Sequence, residues 1–143
     1  TFRTKNFENN IRNLIEELDL QRSVMISEQV PHSQIWEIIN KHRVGVIPFR
    51  RTPLTEENTP TKLFEMMICG LELVVSKLPP AQLFLNNSVH WCNPGNINSI
   101  SRSLISALNA KDDLSNIYEN QRLIKEKYNW GKKKKDYLTL FKA

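Results

Sequence analysis

Two glutamates, Glu57 and Glu65, stand with seven residues between them in a polar stretch of the chain. A carboxylate accepts hydrogen bonds from hydroxyl groups, which sugars and ribose carry in number. Between the glutamates, a threonine and a proline at 59–60 suit the cap and the first turn of a helix. Free backbone N–H groups at such a helix start favour a phosphate, and here they are expected to belong to Asn58, Thr59, Thr61 and Lys62. The pattern therefore predicts a ligand that combines phosphate with hydroxyl groups, as a nucleotide-sugar does.

The elements around the glutamates are predicted to form a strand, a loop, a helix and a second strand. Residues 44–49 are apolar and rich in β-branched side chains, as in a strand buried in a parallel sheet, and Pro48 marks where its pairing stops. Residues 50–58 form a polar loop before the helix, which Gly70 ends in a left-handed conformation. Apolar residues at 71–75 begin the next strand. The helix buries one apolar face, formed by Leu63, Phe64, Met66 and Met67.

The remaining segments predict further helices and strands on both sides of this unit. Residues 7–18 carry a helical apolar stripe, residues 24–27 a short strand, and a helix opens after Pro31. Residues 80–84 predict a short helix and residues 89–92 a strand. Asn96 is predicted to cap the helix that follows, with inward-facing Ile97, Ile100, Leu104, Ile105 and Leu108.

The central stretch resembles the family-four retaining glycosyltransferases of the GT-B fold. Residues in matching places are Pro48, Glu57, Pro60, Lys62, Leu63, Phe64, Glu65, Met67, Gly70, Val74, Val75 and Ser76. Residues 127–130 are similar to the Y-x-W element before the last helix of that family. The chain departs from the pattern at Gly70-Leu71-Glu72, where the family has Gly-x-Pro. The likeness covers nearly all of the chain.

The resemblance implies an α/β fold, a Rossmann-like parallel sheet flanked by helices, which is the second domain of a GT-B glycosyltransferase. Residues 1–143 are expected to be a single partial domain that lacks its first strand or strands and the diphosphate-binding residues there. The acceptor-binding domain is expected to be missing too, so that this chain alone should bind weakly and not turn over.

The resemblance also implies a reaction and a role for each site residue. A hexose would pass from a nucleoside diphosphate sugar to an acceptor hydroxyl with retention, in polysaccharide, lipopolysaccharide or other glycoconjugate synthesis. Glu57, the catalytic residue, would hold the donor sugar, and Glu65 the ribose. The other donor-binding residues would be Asn58, Thr59, Thr61 and Lys62. No cofactor and no divalent metal are expected.

Other interpretations of the same residues remain open. Glu57 can be a first-turn acid that favours the helix dipole, and Glu65 can pair with Lys62 on a solvated face. A related sugar-nucleotide epimerase or a non-catalytic nucleotide-sugar binding module would carry similar residues. A metal site is not expected, since His90 and Cys92 offer only two ligands.

The net charge of +5 comes partly from a lysine block in the last helix, Lys132, Lys133, Lys134 and Lys135. These lysines form either a solvated face or a surface for anionic lipid. Nucleic-acid binding is not expected, because aromatic residues do not alternate with the lysines. No apolar run is long enough to span a bilayer. With Cys69 and Cys92 expected to be reduced, the predicted location is the cytoplasm, with peripheral contact to the inner face of the membrane.

Overall fold

A computed structural model describes residues 5–85, 88–110 and 113–139, without the side chains of residues 135 and 136. The chain divides into two compact units, Thr1–Ile35 and Trp36–Ala143. The elements in chain order are α1 (Lys5–Glu17), α2 (His32–Ile39), β1 (Val44–Ile47), α3 (Pro53–Glu57), α4 (Thr61–Ile68), β2 (Glu72–Ser76), α5 (Pro79–Phe84), β3 (His90–Cys92), α6 (Ile97–Asn109), α7 (Ser115–Glu126) and α8 (Trp130–Thr139).

The first unit contains α1, which the apolar stripe predicted, and the start of α2. The predicted strand at residues 24–27 is wrong, because this segment is neither helix nor strand. The N–H of Val24 donates to the carbonyl of Leu20 at 2.8 Å, so the turn after α1 uses a group that a strand would need. Met25 is 85% exposed, which also fits a loop.

The second unit is built on a parallel sheet, as predicted, and its strands lie in the order β1-β2-β3. The central strand β2 is buried at every residue, whereas β1 alternates between buried and half-buried residues. Leu63 and Met67 of α4 are fully buried and join Leu73 and Val75 of β2 in the main core. The α/β fold with a Rossmann-like parallel sheet flanked by helices is therefore confirmed.

The connection between β1 and β2 contains one more helix than the sequence predicted. Thr52 caps α3 through a capping box with Thr55, and the N–H of Asn58 closes it on the carbonyl of Leu54 at 3.0 Å. Because α3 takes up the predicted loop, α4 begins only at Thr61. The predicted hydroxyl cap from residue 59 is wrong, since Pro60 occupies the cap position without a side-chain hydrogen bond.

Gly70 ends α4 with a φ of 74°, as predicted. A Cβ added here would lie 3.0 Å from Nε2 of Gln121, which itself donates to the carbonyl of Ile68 at 3.2 Å. Gln121 belongs to α7, a helix that the sequence patterns did not predict. Gly70 therefore combines a left-handed backbone conformation, which glycine adopts most easily, with close packing against α7.

The predicted inward face of α6 is partly wrong. Asn96 does cap this helix, accepting a hydrogen bond from the N–H of Ser99 at 2.8 Å. The residues that face the sheet most closely are small, however, because Ser103 and Ala107 are buried and Ser103 Oγ donates to the carbonyl of Trp91 at 2.8 Å. Ile100 and Leu104 pack beside them as predicted. The three predicted residues that are instead exposed are Ile97, Ile105 and Leu108.

Candidate functional site

The candidate site lies at the carboxyl edge of the sheet. Val75 is in register with Ile47 of β1, and Ser76 with Cys92 of β3, so all three strands end at the same level. The segments that leave this edge are residues 48–52, residues 77–78 and residues 93–96. Ligands of open parallel α/β sheets bind in the crevice outside the carboxyl ends of the strands.

The short helix α3 holds Glu57 at the rim of this edge. Its start is fixed by the Thr52–Thr55 capping box, and Thr55 Oγ1 also donates to the carbonyl of Arg50 at 2.6 Å. Arg51 and Glu56 form an ion pair beside it. Glu57 is exposed, and its carboxylate has no partner within the described part of the chain. A carboxylate in this position is able to accept hydrogen bonds from a ligand's hydroxyl groups.

The start of α4 presents free backbone donors at the same edge. Among the described residues, the N–H groups of Thr59, Thr61 and Lys62 have no acceptor, as expected for the first turn of a helix. The prediction that the Asn58 N–H is free is wrong, because it donates to the carbonyl of Leu54. The exposed side chain of Asn58 is still available to a ligand.

Glu65 lies one turn deeper along α4 and is half-buried. It does not pair with Lys62, whose side chain has no partner in the residues that the structure describes. Burial raises the pKa of the Cys69 thiol, and the nearby Glu65 carboxylate raises it further. Glu57 therefore precedes α4 and is exposed, whereas Glu65 lies within α4 and is half-buried.

The crevice between these elements is shallow. Its volume is about 10 Å³, room for about one water molecule, so a ligand of nucleotide size must lie over the edge. The residues around it are Ile47, Phe49, Thr55, Pro60, Val75, Ser76, Leu78 and Ala81. A larger open groove of about 640 Å³ lies between α7, α8 and the last residue of α4, away from the two glutamates.

A buried polar cluster that no sequence pattern predicted lies at the opposite, amino end of β2. Glu72 is 1% exposed, and its Oε2 lies 3.0 Å from Nε2 of His90. Because a carboxylate only accepts, Nε2–H of His90 is the donor. His90 Nδ1 lies 3.0 Å from Oγ of Ser106, and Asn116 Nδ2 donates to the same carboxylate oxygen at 3.4 Å. In the described residues, Glu72 Oε1 has no partner.

The fold defines a Rossmann-like α/β domain, and the candidate site lies at the carboxyl edge, where open parallel sheets bind their ligands. The family model "Glycosyl transferases group 1" matches residues 4–124, and the chain belongs to this family. No curated protein matches the chain.

A solved structure similar to this chain is the sucrose-phosphate synthase from Thermosynechococcus elongatus. The two superpose with a TM-score of 0.76 at 19% sequence identity over 94% of this chain. The chain spans about a third of that protein, or 34% of its length. The structural match supports the predicted GT-B fold.

Proposed function

We propose that this chain is the donor-binding part of a retaining glycosyltransferase, which moves a hexose from a nucleoside diphosphate sugar to an acceptor hydroxyl. Membership in the glycosyl transferases group 1 family supports the class of enzyme. The observation that carries the site is the unpaired Glu57 carboxylate at the rim of the carboxyl edge, with Glu65 one turn into the next helix. Synthesis of a polysaccharide, lipopolysaccharide or other glycoconjugate is the proposed setting.

Each element of the edge has a role in this proposal. Glu57 accepts hydrogen bonds from the donor sugar, and Glu65 from the ribose. The backbone donors at Thr59, Thr61 and Lys62 stabilise the diphosphate as it leaves, because preorganised dipoles stabilise charge that develops in the transition state. The Asn58 side chain lies between the two glutamates in sequence and completes the donor-binding set. The proposal includes no metal and no cofactor.

The acceptor belongs, in this proposal, to a further domain of the enzyme, and residues 1–143 form a single partial domain. The shallow crevice supports this division, because one side of the ligand stays uncovered by the described residues. The reaction needs water to be excluded from the donor, and a second domain facing the edge provides that cover.

The test is a titration of the chain with uridine, guanosine and adenosine diphosphates and with their sugars, by calorimetry. Glu65→Gln should lower the affinity for the preferred nucleoside diphosphate by about tenfold or more, since a hydrogen bond to a charged group contributes about 1.5–3 kcal/mol. Glu57→Gln should weaken the binding of the nucleotide-sugar and leave the binding of the diphosphate unchanged. Glu17→Gln is the matched control, an exposed glutamate at the end of α1. Full affinity in both site variants would reject the assignment.

A second proposed function of the chain is contact with an anionic membrane through α8. Trp130 is 63% exposed and its ring lies 5.5 Å from that of Tyr137, which is 49% exposed. Lys132, Lys133 and Lys134 are exposed on the same helix. Amphipathic aromatic rings together with lysines suit the interface of a bilayer. In the part of the chain that the structure describes, no helix has the length and apolar character to cross a membrane.

The α8 proposal places the enzyme in the cytoplasm, at the inner face of the membrane, where anionic lipids attract basic segments. Lys135 belongs to the same block, but its side chain lies outside the described residues. The predicted apolar residues at 140–141 lie outside them as well.

A further inference from the structure

A serine, a histidine and a glutamate form a continuous set of hydrogen bonds at the amino end of β2. Ser106 Oγ lies 3.0 Å from His90 Nδ1, and His90 Nε2 lies 3.0 Å from Glu72 Oε2. The three residues belong to α6, β3 and β2. A hydroxyl group next to a base, which a third group orients, is the arrangement of an activated nucleophile.

The carboxylate fixes the direction of the hydrogen bonds in this Ser106–His90–Glu72 triad. An ionised Glu72 only accepts, so neutral His90 carries its proton on Nε2. Nδ1 then has a lone pair and accepts a hydrogen bond from the Ser106 hydroxyl. The same lone pair is in position to take the serine proton, which is the task of a general base.

Exposure falls along the triad from the serine to the glutamate. Ser106 is exposed on α6, whereas the side chain of His90 is 14% exposed and that of Glu72 only 1%. A reagent from solvent can therefore reach the hydroxyl group. The carboxylate is shielded from water, and hydrogen bonds to a charged group are stronger in such surroundings.

Ser103 lies one turn earlier on α6 and shows what a structural serine does on this helix. Its Oγ donates to the backbone carbonyl of Trp91 at 2.8 Å, and such a carbonyl is not a base near neutral pH. Ser106 instead contacts an imidazole nitrogen of the preceding residue, His90. Both serines join α6 to β3, but only Ser106 has an acceptor that can remove its proton.

Stability alone does not explain why a carboxylate stands at position 72. Among the described residues, Glu72 Oε1 is buried without a hydrogen-bond partner. A buried ion pair is often no more stabilising than apolar side chains of similar volume. The family pattern has a proline at this position, so the fold does not require a charged group here. An unmet buried polar atom of this kind calls for a functional explanation.

From these contacts we propose that Ser106 is a nucleophilic serine that accepts the acyl group of a small ester. Ser106 Oγ forms a bond to the ester's carbonyl carbon while its proton passes to His90 Nδ1. The bond from that carbon to the ester oxygen then breaks, and the leaving group departs as an alcohol with that proton. Glu72 is a positioning residue, which holds the imidazole and stabilises its charged form.

The acyl donor is an uncharged ester rather than a phosphate, because the ionised group of the triad is a carboxylate, which repels an anion. The triad lies at the end of the sheet opposite the candidate donor site. The proposed acylation therefore does not depend on the proposed glycosyltransferase function, and the two can fail separately.

The experiment treats the chain with p-nitrophenyl acetate and follows acetylation of each serine by mass spectrometry with peptide fragmentation. Ser101 is the matched internal control, an exposed serine of α6 with no hydrogen bond to another described residue. A general base contributes about 10²–10⁴-fold to a rate, so Ser106 should be acetylated at least about a hundredfold faster than Ser101. Ser106→Ala should remove this fast acetylation, and Ser101→Ala should leave it unchanged.

The variant Glu72→Gln tests the positioning role, since it keeps the size of the side chain and removes its charge. Acetylation of Ser106 should fall by about tenfold or more. Nitrogen NMR of His90 should show the proton on Nε2 in the parent chain. In the variant the proton should be shared between both nitrogens, because an amide can donate as well as accept. Urea unfolding of each variant shows whether it folds as the parent does.

Three outcomes would overturn the proposal. The first is acetylation of Ser106 no faster than that of Ser101, and the second is a parent His90 with its proton on Nδ1. The third is an unchanged rate in Glu72→Gln, because the three groups would then not act as a unit. Nucleotide-sugar affinity should be the same in Ser106→Ala as in the parent chain, so these results leave the proposed function untouched.

Discussion

His90 Nε2 lies 3.0 Å from Oε2 of Glu72, and this pair joins β2 and β3 inside the protein at the end of the sheet remote from the candidate site. The family pattern has a proline where Glu72 stands. The Glu72 carboxylate is only 1% exposed, and burying it costs free energy unless it accepts a hydrogen bond. His90 supplies that donor, and Asn116 adds a weaker contact at 3.4 Å.

Replacing His90 by phenylalanine should therefore destabilise the chain strongly. The change leaves the Glu72 carboxylate buried without its main partner, and breaking such a pair from one side costs about 3–5 kcal/mol. The double variant Glu72→Leu with His90→Phe should regain most of this loss, because no buried charge remains. Urea unfolding followed by circular dichroism measures both. Glu37→Gln, which breaks the exposed pair with Lys41, is the control and should change stability by less than about 1 kcal/mol. Equal losses in the single and double variants would contradict this account.

The local order around β1, α4 and β2 could be predicted from the sequence because each signal there is short-ranged. A run of β-branched residues, a proline near a helix start and Gly70 before the next strand act within a few residues of themselves. The position of Glu57 and Glu65 at the carboxyl edge follows from that order alone, since parallel strands must end at one edge.

The failures have a different physical origin, because they depend on contacts between distant residues. Residues 24–27 have strand-like composition, but a strand forms only beside another strand. The face of α6 that packs on the sheet is set by Ser103, which donates a hydrogen bond to the carbonyl of Trp91 in β3. The apolar periodicity of a helix does not reveal such a contact. The pair between Glu72 and His90 is likewise separated by a helix and a loop in sequence.

Replacing Gly70 by alanine should destabilise the chain by about 1–2 kcal/mol, since an L-residue resists the left-handed conformation at a φ of 74°. The new Cβ would also meet Nε2 of Gln121 at 3.0 Å. Gly95 is the matched control, because its φ is 73° but, among the described residues, its Cβ would meet only Arg50 Cγ, at 3.9 Å. Unfolding in urea should show a larger loss for Gly70→Ala than for Gly95→Ala. The reverse order would mean that the contact with α7 is unimportant.

The two cysteines should react slowly with iodoacetamide near neutral pH. Burial raises the pKa of the Cys92 thiol, and burial together with the Glu65 carboxylate raises that of Cys69. The thiolate is the reactive form, so a raised pKa lowers the reactive fraction at a given pH. The alkylation rate should therefore keep rising at a pH where that of a small thiol has levelled off. Mass spectrometry of the two peptides measures each rate.

The Glu65→Gln variant tests the electrostatic part of that difference. Removing the negative charge should lower the pKa of Cys69 and speed its alkylation, while Cys92 serves as an internal control in the same sample. An increase at both cysteines would indicate general loosening of the fold. No increase at Cys69 would place the carboxylate away from its sulfur.

Binding to anionic vesicles should depend on α8. Lys132, Lys133 and Lys134 are exposed, and each lysine near an anionic surface contributes about 1 kcal/mol, so their joint replacement by glutamine should weaken binding by about a hundredfold. The affinity should fall with salt, because the attraction is screened. Co-sedimentation with vesicles of phosphatidylserine and phosphatidylcholine measures it, and pure phosphatidylcholine is the control. Trp130→Phe should remove the change in tryptophan fluorescence, since Trp130 is the residue expected to enter the interface. If the parent chain stays unbound at low salt, α8 is only a solvated helix.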